Sequence, residues 1–167
     1  MNNNRTLSLV LTSVFAALIC VCTLMVQIPI PATGGYANPG DGVLLLAAGL
    51  LPLPLSAAAA AVGSMLADVI TGYMLYAPAT FMIKGSMALL CGFLLKKLQG
   101  KKTAYILSAL AAECLMVLGY FLYEAIFLGF GFGAAAGIMG NAGQGALGAV
   151  IFCVLFPVIK KVIGKHL

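Results

Sequence analysis

Asp68, Tyr73, Tyr76 and Lys84 lie within Gly63–Lys84, a stretch that begins and ends inside long apolar runs. Glu124, Asn141 and Gln144 interrupt two later apolar runs in the same way. Carboxylates, an ammonium, phenols and side-chain amides can together hydrogen-bond and stack on a small polar molecule. They do not form a nucleophile–base pair, so no catalytic residue is assigned and the chain is not read as an enzyme; a mechanism run by carboxylates alone stays open. At bilayer depth a charged side chain costs about 2.5–3.5 kcal/mol on insertion scales, and such groups are turned toward partners, water or a ligand. The chemistry expected is therefore the binding of a small molecule inside a helical bundle.

The bulk composition sets that bundle in a membrane. Of 167 residues, 63% are hydrophobic and only 8% charged, against about 25% charged in soluble domains. At about 20 residues per span, the length allows four to six helices and a single domain over residues 1–167. The formal charge of +5 does not point to nucleic acid, because the basic residues sit mostly at span ends, where they set orientation. Five cysteines (Cys20, Cys22, Cys91, Cys114, Cys153) all fall in apolar runs and read as small packing hydrophobes. Cys20 and Cys22 project to different sides of a helix. The lone histidine, His166, is next to the C-terminus, so neither a metal site nor a cofactor is expected.

The order of elements follows from prolines and lysines. Leu7–Ile28 is long and apolar enough to span, and is read as a retained first helix. Along it Thr12, Ala16 and Cys20, and likewise Ser13 and Ala17, recur every four residues. This spacing admits close approach of another helix, whether in this bundle or outside it. Pro29–Asp41 holds three prolines and three glycines and cannot form a regular helix; Tyr36, Asn38 and Asp41 make it a linker or a lid. A single helix over Gly42–Leu95 would be about 80 Å long. Lys96, Lys97, Lys101 and Lys102, and then Lys160, Lys161 and Lys165, place two loops in the cytoplasm. With Arg5 also inside, Gly42–Leu95 crosses three times, breaking near Pro52–Pro54 and near Ala77–Pro78. Its first piece, Gly42–Leu51, is short and must be tilted, extended or shielded. Thr103–Phe127 is the fifth span, Leu128–Gly137 a glycine-rich turn, and Ile138–Ile159 the sixth span. The expected fold is an all-α integral membrane protein, a six-helix transmembrane bundle with both termini cytoplasmic.

That topology puts Tyr36, Asn38, Tyr73, Tyr76, Lys84, Glu124, Asn141 and Gln144 in the outer half, as a pocket opening outward; Glu113 lies nearer mid-membrane. Asp68 and Lys84 are expected to neutralise one another as a structural ion pair. Tyr73 and Tyr76 could instead be interfacial aromatics, and Asn141 with Gln144 a helix-start pair.

The chain resembles a substrate-binding (S) component of the energy-coupling factor (ECF) vitamin transporters. The resemblance runs through Gly34-Gly35-Tyr36, Asn38 and Gly40-Asp41, then Gly63-Ser64 and Ala67-Asp68. It continues through Gly72-Tyr73, Tyr76-Ala77-Pro78, Thr80 and Ile83-Lys84-Gly85, and is nearest the riboflavin-, pyridoxine- and hydroxymethylpyrimidine-type branch. It implies six helices that hold a vitamin near the outer face of the plasma membrane, capped by the first outer loop. It also implies a membrane-embedded coupling subunit and two ATPases supplied by other chains; no Walker loop occurs here. The coupling subunit would dock on small residues of the first helix, here Ser13, Ala16, Ala17 and Cys20, with the family's Ala-x-x-x-Ala present as Ala16-x-x-x-Cys20 or Ser13-x-x-x-Ala17. The reading from another class is a self-sufficient secondary transporter or channel for a small polar solute. It predicts internal repeats and a polar path across the membrane, neither of which is evident.

Overall fold

A computed structural model of the chain describes residues 3–31, 33–98 and 102–163. Lys101, Lys165 and His166, used above for orientation and for the metal argument, lie outside the described residues. Among the described residues there are six α-helices: α1 (Asn3–Met25), α2 (Gly40–Leu50), α3 (Leu53–Thr71), α4 (Ala77–Lys97), α5 (Lys102–Leu122) and α6 (Ala135–Ile163). Five helical stretches among the described residues are long and apolar enough to cross a membrane. The sixth helix, α2, has 11 residues and is about 17 Å long, well short of a hydrocarbon core of about 30 Å. It is shielded by its neighbours: Leu44, Leu45 and Ala47 are completely buried, against α1, α3, α4 and α6.

Proline chemistry accounts for the breaks. Leu51 is extended (φ −99°, ψ 159°), as expected before a proline, and Pro54 lies in the first turn of α3, where a missing N–H costs nothing. Pro78 plays the same part at the start of α4. Between them α3 ends at Gly72, whose φ of +85° is a left-handed conformation that glycine adopts without strain. Tyr73 N donates to Asp68 O (2.8 Å) and Gly72 N to Val69 O (3.4 Å), the paired bonds of a Schellman cap. This cap fixes where Tyr73 and Tyr76 emerge.

The loop expected over Pro29–Asp41 as a linker or a lid contains paired strands, and it ends before Gly40 because Gly40 and Asp41 already belong to α2. Ile28–Ile30 (β1) and Gly35–Ala37 (β2) pair antiparallel as a hairpin, with Pro29 opposite Tyr36. Proline and glycine do exclude a helix here, but the short apolar run Ile28–Ile30 pairs with Gly35–Ala37 and turns Ile30 inward, 8% exposed, while Ile28 is 61% exposed. The connection between α5 and α6 also holds more structure than a turn. A π-helical turn, Tyr123–Phe127, extends α5, and a 3₁₀ turn, Gly131–Ala134, leads into α6.

The core comprises Ile19, Leu44, Leu45, Met87, Met116, Phe152 and Phe156 with many alanines. Small residues let the helices approach. A Cβ on Gly63 would stand 2.5 Å from the carbonyl oxygen of Ala16, so α1 and α3 touch backbone to backbone. Gly63→Ala is expected to cost about 1–3 kcal/mol of overpacking. Gly143, with nothing within 4 Å of the corresponding position, should accept alanine without loss. Thermal unfolding of both variants in detergent checks this; equal midpoints would refute the close α1–α3 contact.

Candidate functional site

All four acidic residues of the chain are buried: Asp41 (1% exposed), Glu124 (2%), Asp68 (3%) and Glu113 (4%). Lys84, 3% exposed, is the one lysine among the buried polar residues described. Its partner decides how the site is built. Lys84 Nζ lies 2.5 Å from Asp41 Oδ1, which corrects the expected Asp68–Lys84 pair. The reason is the course of α2. Asp41 sits in its first turn, where a carboxylate is favoured by the helix dipole, and the buried helix carries it to the level of Lys84. The second oxygen, Oδ2, accepts from Gln144 Nε2 of α6 at 2.5 Å. Gln144 Oε1 accepts from the backbone N–H of Asn38 (2.9 Å) and from its side-chain amide (3.4 Å). Asn38 Oδ1 in turn accepts from Gly40 N at 2.9 Å, satisfying an N-terminal amide of α2. One continuous polar chain thus ties α4, α2 and α6 to the segment leaving the hairpin.

Asp68 is left to a different partner. Tyr36, on the hairpin, donates its hydroxyl to Asp68 Oδ1 at 2.6 Å, and Oδ2 has no hydrogen-bond partner. Tyr76, at the start of α4, lies 2.7 Å from the carbonyl of Thr33 and 3.2 Å from Glu124 Oε1. One phenolic proton faces two acceptors, and the shorter contact is to Thr33. Glu124 Oε2 has no hydrogen-bond partner. Glu124 points inward because the π-helical turn Tyr123–Phe127 shifts the helix phase there, a feature frequent at functional sites. Burial pushes the Tyr36 and Tyr76 phenols above their ordinary value, so both stay neutral donors.

An aromatic roof completes the arrangement. The Tyr36 and Tyr73 ring centroids are 4.6 Å apart, and Tyr76 stands 6.5 Å from Tyr73, 6.4 Å from Tyr120 and 5.9 Å from Tyr123. The Tyr120 and Thr80 hydroxyls are 2.9 Å apart, and Lys84 Nζ lies 5.6 Å from the Tyr120 ring centroid.

Of the residues expected at a binding site, Tyr36, Asn38, Tyr76, Lys84, Glu124, Asn141 and Gln144 line one cavity of about 30 Å³. Tyr73 does not line it and packs behind Tyr36, the two rings tilted by 51°. Asp68, read from sequence as structural, does line it, as do Thr23, Ile30, Gly35, Ser64, Thr80 and Tyr120. Ser64 and Thr80 stood within the motifs of the resemblance, and Tyr120 precedes Glu124 by the four residues that stack side chains along a helix. Thr23 and Ile30 carried no such signal. The small residues of α1 divide into two sets. Ala16 is half-buried against Gly63 and Cys20 is buried, whereas Ser13 and Ala17 are exposed on the outer face. Glu113, on α5, packs against Gly145 and Gly148 of α6, and neither of its carboxylate oxygens has a partner.

The fold and site together define a helical membrane protein with a polar cavity between its helix ends, under a hairpin and a tyrosine roof. The sequence profile of the family described as "ECF-type riboflavin transporter, S component" matches residues 3–161, and the chain belongs to that family. It is accordingly a substrate-binding component of a vitamin-type transporter and not an enzyme. A Pyrococcus woesei protein, "Uncharacterized protein in gap 3'region", is 37% identical over 152 residues, covering 89% of this chain and 99% of that protein.

Removing one partner of a buried ion pair strands the other, at a cost of about 3–5 kcal/mol. Lys84→Met and Asp41→Leu should each lower the thermal midpoint strongly, and the double variant should recover part of the loss. Asp68→Leu combined with Lys84→Met should show no such recovery. Recovery in the second combination and not the first would restore the Asp68–Lys84 pairing.

Proposed function

We propose that this chain captures a small vitamin or vitamin precursor of riboflavin, B6 or pyrimidine type at the outer face of the plasma membrane. An ATP-driven module of other chains, a coupling membrane subunit with two ATPases, then takes the solute across. The observation that carries the reading is the polar cavity, in which phenols, amides and carboxylates converge from the hairpin and from α3, α4, α5 and α6. Such a set suits a flat heteroaromatic ring bearing polar substituents, with hydrogen bonds fixing its edge and tyrosines covering its face. The six helices all belong to the membrane bundle, with the shielded α2 completing the outer half. Lys96, Lys97, Lys160 and Lys161, at the opposite ends of α4 and α6, mark the cytoplasmic side.

Sites for small molecules enclose about 300–1,000 Å³, and the cavity here measures about 30 Å³. Binding therefore needs the roof to part. The hairpin is the element suited to move, since it is joined to the carboxylates through Tyr36 directly and through Tyr76 at Thr33. Mass spectrometry of small molecules retained by the detergent-purified protein tests the reading. A retained vitamin or precursor that rebinds in calorimetric titration is the expected result. Absence of any retained or rebinding vitamin from well-folded protein would refute it.

The coupling subunit is assigned to the outer face of α1. Only 17% of the α1 apolar window is buried, against 33–44% in the other four candidate spans, so α1 offers the most surface to another helix. Ser13 and Ala17 lie on that face, while Ala16 and Cys20 serve the bundle. Ala17→Trp is expected to abolish uptake and co-purification with the coupling subunit while leaving ligand affinity within about twofold, because nothing in the cavity touches it. Ala16→Trp should instead reduce folding yield. Normal assembly of Ala17→Trp would exclude this face.

A further inference from the structure

Hydrogen-bond accounting around the cavity leaves a surplus of acceptors. Lys84 is the one cationic side chain lining it, and Lys84 is already held by Asp41 at 2.5 Å. The second oxygen of Asp41 is taken by Gln144. No positive charge is left over for Asp68 or Glu124. Asp68 has the Tyr36 phenol with the neutral Thr80 hydroxyl beside it, and Glu124 has the Tyr76 phenol, shared with the Thr33 carbonyl, with the neutral Thr33 hydroxyl beside it. Asp68 Oδ2 and Glu124 Oε2, both buried, accept nothing. A buried acceptor without a donor is unfavourable, and a buried carboxylate more so. Beyond these neutral hydroxyls, the carboxylate charge is offset by a proton on the carboxyl or by a donor brought by the ligand. A phosphate group on the ligand supplies neither and adds like charge beside the two carboxylates.

We propose that Asp68 and Glu124 read the ligand, and that the site takes a neutral or cationic molecule presenting N–H or O–H donors while refusing the same scaffold bearing a phosphate. This rests on the capture reading and adds a selectivity to it. The two carboxylates approach from different elements, Asp68 from α3 and Glu124 from the π-helical turn after α5. A ligand therefore needs donors at two separated points, as an amine, a ring N–H or a hydroxylated chain provides. Tyr36 and Tyr76 hold the roof through the same carboxylates, so donor recognition and roof closure act on shared atoms.

The test uses full-length protein in detergent and three matched pairs: riboflavin and its 5′-phosphate, pyridoxine and its phosphate, hydroxymethylpyrimidine and its phosphate. For whichever ring binds, the phosphorylated member should be weaker by about tenfold or more, as like-charge juxtaposition requires. Asp68→Asn and Glu124→Gln, singly and together, keep size and remove charge. They should weaken the neutral member and shrink the gap within its pair, the double variant most. The single variants preserve the test if the double variant fails to fold by circular dichroism. Equal or tighter binding of the phosphorylated member, or a gap unchanged in the variants, overturns the selectivity while leaving vitamin capture intact. Binding of none of the six by folded protein overturns the capture reading itself.

Discussion

A lysine placed inside a membrane bundle has to be matched at its own depth, and matching Lys84 governs the architecture of the half that holds the cavity. Lys84 sits two turns into α4, about 10 Å below its start, so Asp41 must reach that level too. The chain gets there by folding inward as a hairpin and starting α2 only at Gly40. About 20 Å of hydrocarbon then remains, and the 11 residues of α2 fill about 17 Å of it. The shortness of α2 and the depth of the ion pair are thus one constraint. The pair is tolerable because its remaining valences are used: Asp41 Oδ2 on Gln144, and Gln144 in turn on Asn38. A buried pair without such support loses more in desolvation than it gains in attraction.

The same requirement shapes the hairpin. Irregular backbone at membrane depth survives only where it is buried in protein or lines a cavity. Here β1 and β2 bond to one another, the Thr33 carbonyl takes the Tyr76 hydroxyl, and Asn38 is bonded at both its backbone and its side chain. The hairpin is therefore satisfied in place by a few contacts to side chains, not by a continuous sheet. Those contacts are few enough to be exchanged for contacts to a ligand, which distinguishes this segment from the helix packing around Gly63.

Which parts of this were legible in the sequence follows from the range of the interactions involved. The breaks at Pro52–Pro54 and Ala77–Pro78, and the exclusion of helix from most of Pro29–Asp41, come from proline and glycine acting on their immediate neighbours, although Gly40 and Asp41 were expected in the loop and open α2 instead. Seven of the eight expected site residues line the cavity, because a polar group in an apolar run has few reasons to be there. The pairing of Lys84 was not legible. Asp68 is nearer to it along the chain and on a neighbouring helix, and only the buried course of α2 brings Asp41 close. The hairpin was missed because Ile28-Pro29-Ile30 and Gly35-Tyr36-Ala37 are shorter than any run whose alternation can be read. Tyr73 was misplaced by its likeness to Tyr76: three residues apart around a capped turn, one enters the cavity and the other backs Tyr36.

The acidic residues give the strongest physical distinction between scaffold and site. A chain with four carboxylates and all of them buried cannot be using acids for solubility. Asp41 is accounted for as the partner of Lys84. Asp68 and Glu124 are held by neutral phenols, which stabilise a carboxylate less than an ammonium would, and each keeps an unused oxygen. Glu113 has neither partner nor cavity and stands behind Asp41, close to Gly145 and Gly148. A purely structural use of Asp68 and Glu124 would be better served by asparagine and glutamine, whose amides bring their own donors. Carboxylates at these two positions make sense where a donor arrives from outside the protein.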